Sequence, residues 1–243
     1  MPLSDAQRER YRRNIDVPGL GEAGQERLLG ASILVIGAGG LGSAALPYLV
    51  AAGVGRVGIV DGDAVEVMNL QRQVIHREVG RNKAESAAEQ LSGLNPDVTL
   101  DVYPQYIDAD DARGLFPRYD LIMDCCDTFA AKFMISDAAR EVGAPLVWGA
   151  AVGMQGQCSV FGVPDSHGEA LWLRDLIPEE PSEYPKAIEV GVLGAMVGQV
   201  GALESSEAIK LLAGFGEPLV GRVMVMDAAA GRWGVVPLRS RRC

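Results

Sequence analysis

Residues 33–42 read Ile-Leu-Val-Ile-Gly-Ala-Gly-Gly-Leu-Gly, and this stretch restricts the fold more than any other. Ile33, Leu34, Val35 and Ile36 form an uncharged run of strand length, the pattern of a parallel strand buried on both faces. The run empties into Gly37, Gly39, Gly40 and Gly42. Their spacing, Gly37-x-Gly39-x-x-Gly42, is that of a dinucleotide-type turn. The first glycine permits a tight strand-to-helix turn, the second lets phosphate approach the backbone, and the third brings the following helix close to the strand. A helix from about Leu41 to Ala52 would then aim its unpaired N–H groups and positive dipole end at an anion. A second strand, Val57–Val60, ends on Asp61, nineteen residues beyond Gly42, where an acid that binds ribose hydroxyls is expected. Together these residues point to a nucleotide site without naming the nucleotide.

Downstream the same alternation continues. Helices are expected from Lys83 to about Leu94, Ala109 to Leu115 and Thr128 to Val142; strands at Val98–Tyr103, Tyr119–Asp124 and Leu146–Trp148. That order predicts an α/β fold: a Rossmann-like, doubly wound, mainly parallel sheet with helices on both faces. The pattern changes after Gly149. Gln155–Val163 reads as a strand entering a mixed or antiparallel C-terminal part, and residues 164–190 as a long crossover loop. A largely apolar helix, Gly191–Ala213, precedes a last hairpin of Val223–Met226 and Trp233–Leu238. Ahead of the glycine turn, residues 1–30 form a polar arm with short helices at 4–14 and 22–29. The absence of repeats and low-complexity linkers makes residues 1–243 one domain.

Composition narrows the class. At 48% hydrophobic and 22% charged the chain can build an ample core, yet it has no apolar run of membrane-spanning length. Its N-terminus lacks a signal-peptide core, so a cytoplasmic protein is expected. A net charge of −10 argues against nucleic acid as a general partner. Cys125, Cys126, Cys158 and Cys243 make no C-x-x-C pair, which predicts neither a disulfide framework nor a zinc site. His76 and His167 have no evident partners and read as satisfied or exposed histidines.

Across residues 8–238 the segments resemble the MoeB/ThiF group of the ubiquitin-activating-enzyme superfamily. The likeness is carried by Arg13 in Tyr11-Arg-Arg-Asn14, the glycine turn, Asp61-Gly-Asp63, Asn69-Leu-Gln-Arg-Gln73 and Gly80-Arg-Asn-Lys83. Asp124-Cys-Cys-Asp127, Trp148-Gly-Ala150 with Gln155-Gly-Gln157, and Gly191-Val-Leu-Gly194 complete it. The resemblance implies an enzyme that uses ATP and Mg²⁺ to adenylate the C-terminal glycine of a small β-grasp, ubiquitin-like sulfur-carrier protein, releasing pyrophosphate. It assigns Asp61 to the ribose, Asn69, Arg72 and Lys83 to the phosphates, and Asp127 to Mg²⁺. Arg13 would reach across a homodimer into the partner's site. These residue types suit the chemistry, because a carboxylate attacking phosphorus needs positioning and charge neutralisation more than a protein nucleophile.

Two departures stand out. Most relatives bind structural zinc with two C-x-x-C pairs; here the first would fall at Trp172-x-x-Asp175 and the second at or beyond Arg239–Cys243, and both are missing. No zinc is expected. The cysteine that some relatives place four residues before the glycine at 191 is Ala187, so a covalent sulfur step there has no nucleophile. Adenylation of another peptide or a small carboxylate, an NAD-dependent oxidoreductase and a non-catalytic scaffold are the alternatives. Retention of Arg72, Lys83 and Asp127 speaks against the last two.

Overall fold

The computed structural model describes residues 2–165, 168–181 and 190–240; His167, Ala187 and Cys243 lie outside them. Eight strands form one sheet: β1 (Ser32–Ile36), β2 (Arg56–Val60), β3 (Thr99–Tyr103), β4 (Leu121–Asp124), β5 (Leu146–Val152), β6 (Gln155–Phe161), β7 (Arg222–Asp227) and β8 (Arg232–Pro237). Their spatial order is β3-β2-β1-β4-β5-β6-β7-β8. The first five run parallel and the last three are added antiparallel. The order reverses between β1 and β4, so a crevice opens at the C-terminal ends of the central strands.

Alternation along β1 divides the core. Ile33 and Val35 join Leu46, Leu49 and Val200 on one face, under the helix Gly40–Ala52 and the long helix Gly194–Ala213. Leu34 and Ile36 join Phe116, Phe133, Trp148 and Phe161 on the other, under the helices Ala109–Leu115 and Phe129–Val142. No described helix is long and apolar enough to cross a membrane.

Several boundaries differ from the sequence expectation, and three of them have a cause in the hydrogen bonding. The first helix is two, Asp5–Arg10 and Arg12–Ile15. Between them the side chain of Tyr11 is buried, donating its hydroxyl to Asp97 at 2.9 Å and accepting from Asn95 Nδ2 at 2.9 Å. β5 runs past Gly149 to Val152, because its second half pairs antiparallel with β6 down to Val152 opposite Gln155. The long helix starts at Gly194, since Leu193 is extended and Gly153 exchanges backbone hydrogen bonds with Gly191 and Leu193 at 2.9 and 3.0 Å.

Candidate functional site

The glycine turn sits at the mouth of the crevice. Gly37 has φ of 100°, and a Cβ there would lie 2.8 Å from the carbonyl oxygen of Cys125, so the turn from β1 is closed to other residues. A Cβ on Gly42 would stand 2.1 Å from the Gly37 carbonyl oxygen, which is how the helix starts so near the strand. Gly40 presses on Val197 of the long helix. Gly39 differs: its missing Cβ meets only the amide nitrogen of Gln73, at 3.6 Å, and leaves open space at the helix N-terminus.

Asp61, leaving β2, locks this turn. One carboxylate oxygen accepts from Ala38 N at 2.8 Å and the other from Asp63 N at 2.9 Å. Burial raises its pKa despite these bonds. From the other side His76 holds the same residue, donating Nε2–H to the Ala38 carbonyl at 2.8 Å. Its Nδ1 then accepts from Ser86 Oγ at 3.0 Å, and burial lowers the imidazole pKa; of the two sequence readings, satisfied or exposed, His76 is the satisfied one.

Lys83 opens the helix Lys83–Leu91, capped by Asn82, whose side chain also donates to the Asp61 carbonyl at 2.9 Å. The Lys83 side chain is buried, with its ammonium 2.8 Å from Asp63. Partial burial works against the Asp63 charge, but the bonds from Lys83 and Tyr106 outweigh it and hold the carboxyl below its ordinary range. Asn69 and Arg72 lie on the loop between β2 and this helix. Asn69 is buried and accepts from Glu66 N at 3.1 Å; Arg72 donates to the Met68 carbonyl at 3.1 Å. Gly194 allows the loop to dock, because a Cβ there would be 2.5 Å from the Gln71 carbonyl.

β4 delivers the remaining acid. Asp127 is exposed, and among the described residues its carboxylate has no hydrogen-bonding or ion-pair partner. It does not cap the next helix; Thr128 does, accepting from Ala131 N at 3.3 Å. Asp124 is fully buried, accepting from Cys126 N at 2.9 Å and from Lys132 Nζ at 3.2 Å. Lys132, which sequence reasoning missed, also donates to the Gly149 carbonyl at 2.6 Å and so joins β4, β5 and the helix Phe129–Val142 beneath the Asp127 turn. Burial opposes its ammonium, yet the neighbouring acids raise its pKa and keep it charged.

Glu204 of the long helix closes this cluster. Its carboxyl occupies the space that Gly149 leaves, where a Cβ would be 2.4 Å away, and Cys125 Sγ lies 3.9 Å from both oxygens. Burial pushes its pKa well above 4.5, against the pull of Lys132. The folded chain therefore keeps a proton on Glu204 that the unfolded chain releases. This stabilisation is complete below the unfolded value and fades as pH rises toward the folded one. Across that window Glu204 should reduce stability by about 1.4 kcal/mol per pH unit. In Glu204→Gln, urea denaturation at stepped pH should show that slope removed.

Arg13 is not brought to the site within one chain. Its side chain is 95% exposed, 3.9 Å from Asp16. At the first missing zinc pair, Trp172 is buried in the core and Asp175 caps a helical turn by accepting from Trp172 N at 2.9 Å. Near the glycine turn two buried polar atoms have no partner among the described residues, Ser43 Oγ and Gln73 Oε1. A hydroxyl and an amide beside an open helix N-terminus fit the oxygens and counter-ion of a phosphate chain. Among the described residues no cluster of three His, Cys, Asp or Glu could hold a metal by itself. An Mg²⁺ here would suit one carboxylate plus substrate phosphates, its usual mode of binding.

Comparison with known proteins gives concordant matches. The family described as ThiF matches residues 11–243. A Mycobacterium tuberculosis protein named probable adenylyltransferase/sulfurtransferase MoeZ is 44% identical over 98% of this chain, which spans only 62% of that protein's length. The sulfur carrier protein adenylyltransferase of Thermus thermophilus is 44% identical, covering 90% of this chain and 83% of its own. The SAMP-activating enzyme E1 of Haloferax volcanii is 41% identical over 99% of this chain and 88% of its own. Among solved structures, E. coli MccB superposes with a TM-score of 0.84 at 20% identity, covering 99% of this chain and 73% of that one, a likeness of fold.

Proposed function

Because this chain belongs to the ThiF family, we propose that it is an ATP-dependent adenylyltransferase that activates the C-terminal glycine carboxylate of a small ubiquitin-like sulfur-carrier protein. One observation carries the reading. The chain pairs an open glycine turn with a buried lysine at a helix head and an exposed aspartate at the end of β4 that has no partner among the described residues. The relatives named as a sulfur carrier protein adenylyltransferase and as a SAMP-activating enzyme support the acceptor class.

In this reading the triphosphate lies over Gly37, Gly39, Gly40 and Gly42, with the ribose hydroxyls on Asp61. Asn69, Arg72 and Lys83 neutralise the phosphates, and the dipole of the helix that Lys83 opens adds to its charge. Asp127 would hold Mg²⁺, which supplies charge neutralisation on the phosphates. The acceptor carboxylate is already ionised at neutral pH, so the protein need not remove a proton. It attacks the α-phosphorus; a phosphorus–oxygen bond forms, the bond to the bridging oxygen breaks, and pyrophosphate leaves with the electron pair. The protein's part is alignment and charge.

Arg13 extends the proposal to a homodimer in which each arm completes the partner's phosphate site. Its 95% exposure within one chain supports this, since among the described residues its side chain has only the loose pairing with Asp16 at 3.9 Å.

The test is equilibrium binding of ATP–Mg²⁺ against NAD, followed by ATP–pyrophosphate exchange with a small protein ending in Gly-Gly. Binding of ATP and carrier-dependent exchange are expected, from a species that sediments as a dimer. Tight NAD binding without ATP binding would overturn the reading; a fully active monomer would remove the role of Arg13.

A further inference from the structure

Tyr106 is a large aromatic side chain, 73% exposed, that is nevertheless held in place. It follows β3 by a tight turn in which Gln105 N donates to the Tyr103 carbonyl at 2.9 Å. Its ring and backbone rest on Gly62, where a Cβ would come within 2.6 Å of ring atom Cδ2 and of the backbone nitrogen. Its hydroxyl donates to one oxygen of Asp63, while Lys83 holds the other at 2.8 Å. The hydrogen bond to Asp63, and then its charge, raise the Tyr106 pKa, so the hydroxyl stays a donor. Core packing does not explain so exposed a ring fastened at these points.

Sheet order gives it a place in the site. The strands run β3-β2-β1-β4, the glycine turn leaves β1, and Asp61 leaves β2. A nucleotide with its phosphates on the turn and its ribose on Asp61 is laid across the strand ends from β1 to β2. Continued in that direction, its base arrives at the end of β3, where Tyr106 stands. We propose that Tyr106 forms one wall of the nucleobase site, with Asp63 holding the ring upright. An aromatic face stacks on any base. The residue therefore sets affinity for the nucleoside end of the substrate, and through Asp63 the same carboxylate touches both the base wall and the phosphate lysine.

The inference rests on the ATP reading, and the experiment separates the two. Equilibrium binding of ATP–Mg²⁺ and of inorganic tripolyphosphate, which has no base, is measured for the wild type, Tyr106→Phe and Tyr106→Ala. Loss of one stacking partner should weaken ATP by about tenfold in Tyr106→Ala, with tripolyphosphate unchanged and Tyr106→Phe falling between. In exchange assays the KM for ATP should rise while kcat holds. If Tyr106→Ala binds ATP as the wild type does, or loses ATP and tripolyphosphate alike, the base wall is refuted and the ATP reading stands. If the wild type binds tripolyphosphate but gains nothing from the nucleoside of ATP, both fall together.

Discussion

Exchange of pyrophosphate into ATP should drop by about 10²–10³-fold or more when Asp127 becomes Ala, the scale seen when a group that stabilises transferring charge is removed. The carboxylate is exposed and unpartnered among the described residues, so nothing in the fold depends on it. Thr128 caps the adjoining helix and is untouched by the change. Surface substitutions of this kind stay within about 0.5 kcal/mol in stability. The thermal midpoint should thus match the wild type while activity is lost. Wild-type exchange in the variant would remove Asp127 from the site.

Lys132→Met should have the opposite signature, costing about 3–5 kcal/mol of folding stability because it leaves Asp124 buried without its ion pair. The Gly149 carbonyl loses its donor in the same step. Asp124→Asn combined with Lys132→Met removes both charges and should recover part of the loss, the coupling expected of groups in contact. Urea denaturation of the two single variants and the double measures it. A cost below about 1 kcal/mol for Lys132→Met, the range of exposed pairs, would mean that the pair is hydrated.

These two residues also mark what could be read from the chain. Asp127 was visible because it leaves an apolar strand in a recognisable motif. The glycine turn, Asp61 and Lys83 were visible for the same reason: each is tied to a local pattern, a strand end or a helix start. Lys132 was not, although a lysine on the apolar face shared by Phe133, Ser136 and Ala139 was the available signal. Its partners, Asp124 and the carbonyl of Gly149, come from separate strands, and only the sheet order brings them together. Glu204 and Tyr106 were missed likewise. The extension of β5 was hidden because antiparallel pairing with β6, not apolar periodicity, sustains it beyond Gly149. The break at Tyr11 was hidden because its cause, the bonds to Asn95 and Asp97, lies far along the chain.

The stretch that joins the short helix at Leu173–Leu176 to Gly194 is pinned at both margins. At its start Leu173 N donates to Ser136 Oγ at 3.3 Å and Arg174 pairs with Asp137 at 2.6 Å. At its end Gly153 grips Gly191 and Leu193. Each margin is thus moored by contacts of its own, to the helix Phe129–Val142 at one end and to the turn between β5 and β6 at the other.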